Sequence, residues 1–292
     1  MLDELRGLID RRTRSGHTGW GDFTIARAEE PGSPEVSQSG TVFAMIVQGT
    51  KRLEFGGRSY DYGAGEYLIA SVDLPVTGAF TGATPALPAF GAGLALRPAL
   101  IAEMLMLPAA AGLPRDSKGG DPGLSVGRVS AELVDAVTRM VRLLDRPRDL
   151  EVLGPLIERE ILWRLITGEH GAVIRQLGLA DSRLSRIRSA VHWIREHYAE
   201  PLRVEQLARM SAMSASAFHR SFAAVTTTSP LQFQKQIRLQ EARARLIVDP
   251  GDVAGAAYAV GYESPSQFSR EYRRQFGLPP GQDAVRVRGA AA

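Results

Sequence analysis

The chain has 292 residues, 44% of them hydrophobic and 23% charged, enough for two ordinary domains that each bury a core. It has no cysteine, which excludes disulfides, thiolate metal sites and thiol redox chemistry. The net charge of +3 is uneven: residues 171–292 carry 17 Lys and Arg against 10 Asp and Glu, whereas residues 1–170 are net −4. Such a split is expected when one domain meets phosphate, the alternative being a solvated basic surface. No apolar run approaches the roughly 20 residues that span a bilayer. Asp3, Glu4 and Asp10 do not suit a secretory signal, so a cytoplasmic location is expected.

The spacing of Leu2, Leu5 and Ile9 predicts a short amphipathic helix. Residues 29–40, with Pro31, Gly32, Ser33 and Pro34, read as a loop. From 41 to 95 the texture is β: 41–47 is a β-rich run, 51–55 alternates, and Glu54-Phe55-Gly56-Gly57-Arg58 is a hairpin signal. Tyr60-Asp61-Tyr62 leads through Gly63-Ala64-Gly65-Glu66 to a strand at 67–72. Short strands joined by glycine turns indicate a small antiparallel barrel or sandwich. Phe43, Met45 and Val47 share one strand face, as do Tyr67, Ile69 and Ser71. With Asp73 in the following turn they are the candidate walls of an effector pocket, although the same stripes suit a plain core.

Helix resumes at 98–107, and 109–124 is loop-like. Val129, Leu133, Val137, Val141 and Leu144 keep helical spacing, and 155–167 reads as a second amphipathic helix. These two helices could cover the sheet or pair with a second subunit. Residues 171–183 read as a connector between a first domain, 1–170, and a second, 184–292. The helix that opens the second domain ends at Pro201, which cannot continue it.

The second domain reads as all-α and holds an internal repeat. Ser214-x-Ser216-x-Phe218-x-Arg220-x-Phe222 recurs fifty residues on as Ser264-x-Ser266-x-Phe268-x-Arg270-x-Tyr272. In each copy the aromatic pair lies four apart on one helical face, and the second Ser and the Arg lie four apart on another. A helix that buries aromatics and shows Ser and Arg outward is built like a major-groove reader. Val204, Leu207 and Ala208 mark one supporting helix, and Val253, Ala256, Ala257 and Val260 mark the other. The supporting helices therefore repeat at 49 and the recognition helices at 50. Ser214 and Ser264 are expected caps, and 231–248 reads as a long helix joining the two motifs.

Met213-Ser214, Phe218-x-Arg220-x-Phe222, Ser229-Pro230, Ile237-Arg238-Leu239-Gln240-Glu241-Ala242-Arg243, Val260-Gly261-Tyr262 and Phe268-Ser269-Arg270 together resemble the DNA-binding domain of AraC/XylS-type transcription regulators. That resemblance covers about 184–281. Val47-Gln48-Gly49, Lys51-Arg52, the 60–65 segment and 71–78 resemble the subgroup with a cupin-like N-terminal domain. The implied fold is α+β and multidomain: a cupin-like antiparallel β-barrel with flanking helices, then an all-α domain with two helix-turn-helix motifs on a long helix. The resemblance implies a bacterial regulator that binds promoter DNA and is controlled by a small organic effector in the barrel. RNA polymerase and a second copy of the chain are further partners it leaves open.

Carried over position by position, Ser216, His219 and Arg220 should face one groove, and Ser266, Gln267 and Arg270 the next. Arg273 and Arg274 should touch phosphate, with Lys235 and Arg238 as weaker candidates. The chain departs from the pattern at Arg203, where a capping Ser or Thr is common, at Gly255 inside a supporting helix, and at Ala223-Ala224, where basic residues are frequent. No cofactor or metal is expected. Metal-binding cupins use several histidines and a carboxylate, and 41–95 contains no histidine; His17 and His170 flank the strands. No Ser-His-Asp pattern, phosphate loop or dinucleotide fingerprint appears, so no enzymatic activity is expected. Two rivals stand beside this reading: a DNA-binding protein whose barrel only dimerises, and a cupin-type enzyme with a DNA-binding tail.

Overall fold

The computed structural model describes residues 1–14, 18–30, 35–114 and 123–290. His17 and parts of the two expected loops, 31–34 and 115–122, lie outside the described residues. The chain divides into two compact units, Met1–Arg186 and Ile187–Ala292.

In the first unit, helix α1 (Leu2–Arg14) buries Leu5, Leu8 and Ile9. Ten strands follow among the described residues: β1 (Gly19–Trp20), β2 (Phe23–Ala28), β3 (Glu35–Ser39), β4 (Val42–Gln48), β5 (Thr50–Phe55), β6 (Arg58–Gly63), β7 (Glu66–Ala70), β8 (Leu74–Thr81), β9 (Ala89–Ala95) and, later in the chain, β10 (Leu124–Arg128). They form a six-stranded sheet in the order β1-β2-β9-β4-β7-β10 and a four-stranded sheet in the order β3-β8-β5-β6. All the ladders in both sheets are antiparallel. The expected β5–β6 hairpin turns on Gly56 and Gly57, whose φ angles of 58° and 76° suit the two-residue turn that matches strand twist.

Two strands differ from the sequence reading. β3 lies within the stretch expected to be loop, and it pairs with β8. β10 closes the loop-like 109–124 stretch and pairs with β7. Both take their order from a partner strand rather than from their own composition.

Helix α2 (Pro98–Leu105), α3 (Ala131–Leu143), α4 (Pro147–Thr167) and α5 (Gly171–Gly178) complete the unit. Ser130 caps α3 by accepting from the Leu133 N–H. The apolar spacing predicts a second amphipathic helix from 155. It begins at Pro147 instead and runs through Pro155. Gly154 sits so close to Trp20 that a Cβ would lie 2.8 Å from the indole, and this packing holds the helix across the proline. The expected connector is likewise helical in its first part: α5 packs against α2 and α4, with Gly178 against Ile101.

In the second unit, α6 (Arg183–Glu196, its first turn in the preceding unit) is followed by α7 (Val204–Met210), α8 (Ala215–Thr226), α9 (Pro230–Val248), α10 (Val253–Ala259), α11 (Pro265–Phe276) and α12 (Pro280–Ala290). The supporting helices α7 and α10 repeat at 49 and the recognition helices α8 and α11 at 50, as the sequence predicts. Gly255, an apparent weakness in α10, has a local reason. Asp252 caps this helix through the Gly255 N–H at 2.8 Å, and any Cβ on Gly255 would collide with that carboxylate. Arg203 provides no side-chain cap to α7.

The repeat extends to the backbone. The two left-handed positions of the second motif, Gly261 (φ 86°) and Gly277 (φ 82°), correspond to Ala212 (φ 50°) and Thr227 (φ 56°) in the first. A β-branched residue in this region is strained, and the buried Thr227 hydroxyl has no hydrogen-bond partner among the described residues. Thr227→Gly is therefore expected to stabilise the protein by about 1 kcal/mol, visible as a higher midpoint in thermal unfolding. An unchanged or lower midpoint would show that the strain is absent.

Candidate nucleic-acid interface

Each recognition helix is anchored by rings. In the first motif Phe218, Phe222 and Phe233 are fully buried, with successive ring centroids 5.5 and 5.6 Å apart. In the second, Tyr262, Phe268, Tyr272 and Phe276 form a chain with spacings of 5.3, 5.5 and 4.6 Å. Side chains four apart on a helix share a face, so burying these rings turns the positions between them outward. Ser214 caps α8 through the Ala217 N–H, and Ser264 caps α11 through the Gln267 N–H, each at 3.3 Å.

The eight residues expected to meet DNA are all exposed: Ser216, His219 and Arg220 on α8, and Ser266, Gln267, Arg270, Arg273 and Arg274 on α11. No ion pair engages Arg220, Arg270, Arg273 or Arg274 among the described residues. Their guanidinium groups are thus available to an external acceptor, and arginine is suited to bidentate contact with guanine or phosphate. Gln267 donates to Glu271 at 3.3 Å, which orients its amide along the outer face of α11. Ser214 and Ser216 hydroxyls lie 3.3 Å apart.

Lys235 and Arg238, the weaker phosphate candidates, are engaged internally. Lys235 pairs with Glu271 at 2.8 Å. Burial works against the Glu271 carboxylate, but hydrogen bonds from Lys235, Tyr262 and Gln267 outweigh it and hold the group below its ordinary range. Arg238 gives all three guanidinium nitrogens to backbone carbonyls, and burial pulls its pKa down. Helix α12, which the sequence reading did not predict, is tied to the second motif by Asp283. That carboxylate is fully buried and accepts from Arg243, Arg286 and the Tyr272 hydroxyl.

The first unit holds a cavity of about 400 Å³ between its two sheets. Small residues form much of its floor, among them Ala26 of β2, Ala44 of β4 and Gly91 and Gly93 of β9; Lys51, Leu53, Tyr62, Val76 and Phe80 form the opposite wall. Lys51 Nζ stands 5.2 Å from the centre of the Phe80 ring. Of the seven candidates read from the sequence, only Met45 lines this space. Phe43 and Tyr67 lie on the other face of the six-stranded sheet, their rings 5.6 Å apart, with Tyr67 against His170 at the start of α5. Burial pushes the Tyr67 phenol up to about 12. Val47, Ile69 and Ser71 are buried but do not line the cavity: Ile69 lies opposite Phe43 in the β4–β7 ladder, and Ser71 donates to the Gly123 carbonyl. Asp73 is half-buried in the turn before β8. Both faces of this sheet are covered, so both carry apolar residues, and alternation cannot tell which face holds the space. The run of small residues in 89–95 was the usable signal.

A family model described as "AraC-type transcriptional regulator N-terminus" matches residues 21–173. The chain belongs to the AraC-type transcriptional regulators. A "Helix-turn-helix domain" model matches residues 207–284, spanning both motifs. Among similar proteins, the HTH-type transcriptional activator RhaS of Salmonella schwarzengrund is 27% identical over 180 residues, 59% of this chain and 63% of that protein. RhaS of Escherichia fergusonii is 26% identical over 170 residues, 58% of this chain and 59% of that protein. The chain thus matches less than two-thirds of the length of these relatives. In fold it resembles ToxT from Vibrio cholerae strain SCE256, crystallised with an unsaturated fatty acid, with a TM-score of 0.57 and 9% identity over 92% of this chain and 96% of that one. No described helix is long and apolar enough to cross a membrane.

Proposed function

We propose that this family member is a sequence-specific DNA-binding regulator of transcription that reads two successive major-groove segments, with α8 in one and α11 in the next. The observation that carries this reading is the matched pair of helices, each burying an aromatic stripe while leaving an arginine exposed at the corresponding position. Arg220 and Arg270 are the base readers, with Ser216, His219, Ser266 and Gln267 beside them. Arg273 and Arg274, one turn on, hold phosphate and set register. The N-terminal domain, residues 1–170 in the division read from the sequence, acts as the sensor.

The sensor site in this reading is the inter-sheet cavity, whose volume falls in the range of roughly 300–1,000 Å³ typical of small-molecule sites. Its apolar floor, its aromatic wall and Lys51 at its edge suit a compact organic effector. The ToxT structure, described as bound to an unsaturated fatty acid, supports a small-molecule role for this fold. A ligand specific to the native state raises its stability, by about 2.7 kcal/mol at a hundred times Kd. Thermal unfolding against a panel of short aliphatic and aromatic carboxylates, alcohols and aldehydes is expected to give a shift in the wild type. Ala44→Phe, which fills the floor, should abolish it. A shift that survives Ala44→Phe, or a panel that shifts nothing, counts against the cavity as the effector site.

A second role for the first unit rests on α4, whose Val152 and Leu156 are 68% and 60% exposed. Together with the half-exposed Leu153, they form an apolar stripe suited to pairing with a second copy. Sedimentation of the wild type should show a dimer that Leu156→Glu dissociates; a monomeric wild type would exclude this use of α4.

A further inference from the structure

One side chain of the connecting helix ties the segment before the first helix-turn-helix motif to the turn inside the second. The chain after α6, residues 197–200, belongs to the first half, yet Tyr198 packs into the aromatic core of the second. Arg238 on α9 reaches both halves. Its Nε donates to the Tyr198 carbonyl at 2.6 Å and its Nη2 to the Ala199 and Glu200 carbonyls at 3.2 and 2.9 Å. Its remaining nitrogen, Nη1, donates at 2.8 Å to the carbonyl of Gly261, in the turn that launches α11. Gln234, one turn earlier on α9, donates to Tyr198 and Glu200 at 3.0 and 2.7 Å.

Two further contacts tighten the same point. Gly261 lies directly against Ala199, so that a Cβ would collide with the Ala199 carbonyl oxygen. One residue on, the Tyr262 hydroxyl donates to Glu271 on α11 at 2.8 Å, and Lys235 of α9 pairs with the other oxygen of that carboxylate. The recognition helix of the second motif is thereby fixed to the connecting helix, and the connecting helix to the end of α6. A half-buried arginine with four carbonyl partners is a rigid fork whose donors all point in set directions.

We infer that Arg238 is a positioning residue that sets the spacing of the DNA site, a role that rests on the two-groove reading above. With α8 and α11 locked in one relative placement, the protein cannot follow a change in distance between the two sequence elements. Inserting one base pair moves the second element by about 3.4 Å and turns it by about 35° about the duplex axis. One recognition helix then loses its base contacts unless the DNA distorts.

The test uses the full chain and the duplex that the wild type selects from random DNA, together with versions carrying one base pair inserted or deleted between the two elements. Losing one bidentate base contact reduces affinity by about 5- to 150-fold, and the wild type is expected to fall within that range on both altered duplexes. Arg238→Met keeps the apolar stem and removes the donors. It should bind the selected duplex more weakly but lose less than about fivefold on insertion or deletion, below the range of a lost base contact. Gly261→Ala, which must push residues 198–200 away, should relax the same discrimination or shift its optimum. A merely structural role would weaken all three duplexes alike and leave the ratios unchanged, and that result in Arg238→Met overturns the inference. Should Arg238→Met fail to fold, the wild-type series and Gly261→Ala decide. A wild type that selects two elements yet tolerates the insertion refutes the clamp and leaves the two-groove reading standing. A wild type that selects a single element removes both.

Discussion

Replacing Asp283 by alanine is expected to destabilise the second motif by about 3–5 kcal/mol, the range for removing one partner of a buried ion pair. The carboxylate is fully buried and receives Arg243 through two nitrogens, at 2.7 and 3.2 Å, together with Arg286 and the Tyr272 hydroxyl. Without it, Arg243 keeps a charge in a site where its side chain is only 9% exposed, and the Tyr272 hydroxyl loses its acceptor. Since Tyr272 belongs to the aromatic stripe that seats α11, the loss should reach the recognition helix. Chemical denaturation and far-ultraviolet circular dichroism would register it; a loss under 1 kcal/mol would show that α12 is dispensable to the motif. Burial alone would raise the Asp283 pKa, but hydrogen bonds from Arg243, Arg286 and Tyr272 outweigh it and hold it below its ordinary value. The stabilisation is therefore complete above the ordinary carboxylate value of about 3.9 and fades as pH falls below it toward the lower native value. Asp283→Asn should remove that acid-side dependence.

How much of this could be read from residues alone depends on how local each signal is. The repeat at 49 and 50, the serine caps and the outward arginines follow from helical spacing within single segments, and α7, α8, α10 and α11 lie where the pattern puts them. The clamp at Arg238 was not legible. A basic residue on a connecting helix looks like a phosphate contact until the carbonyls of residues 198–200 and 261 are brought to it by the fold. The same holds for the cavity: Phe43 and Ala44 are neighbours on one strand, and only the placement of the second sheet decides which of them faces the space. α4 runs through Pro155, and α5 occupies the first part of 171–183, where tertiary packing, through Trp20 on Gly154 and Ile101 on Gly178, outweighs local propensity.

Arg220→Ala and Arg270→Ala are expected to have the largest effects on recognition, each removing about 1–3 kcal/mol of discrimination at its own position. The two side chains are exposed, carry no ion pair among the described residues, and occupy matching places on helices anchored by separate cores. Neither substitution should disturb folding, because truncating a solvated side chain outside the core usually changes stability by less than about 0.5 kcal/mol. Their consequences should therefore appear in base preference rather than in stability. They should also be independent of each other, since separated contacts with no shared partner add. Arg273→Ala, by contrast, should weaken binding evenly across sequences, as befits a phosphate contact.

The most direct measurement is selection of binding sites from random duplex DNA by the wild type, Arg220→Ala and Arg270→Ala, read out by sequencing. The predicted result is a two-part motif for the wild type, with each variant losing preference in a different part and keeping the other. The same motif recovered from all three proteins would contradict the assignment of α8 and α11 as paired groove readers.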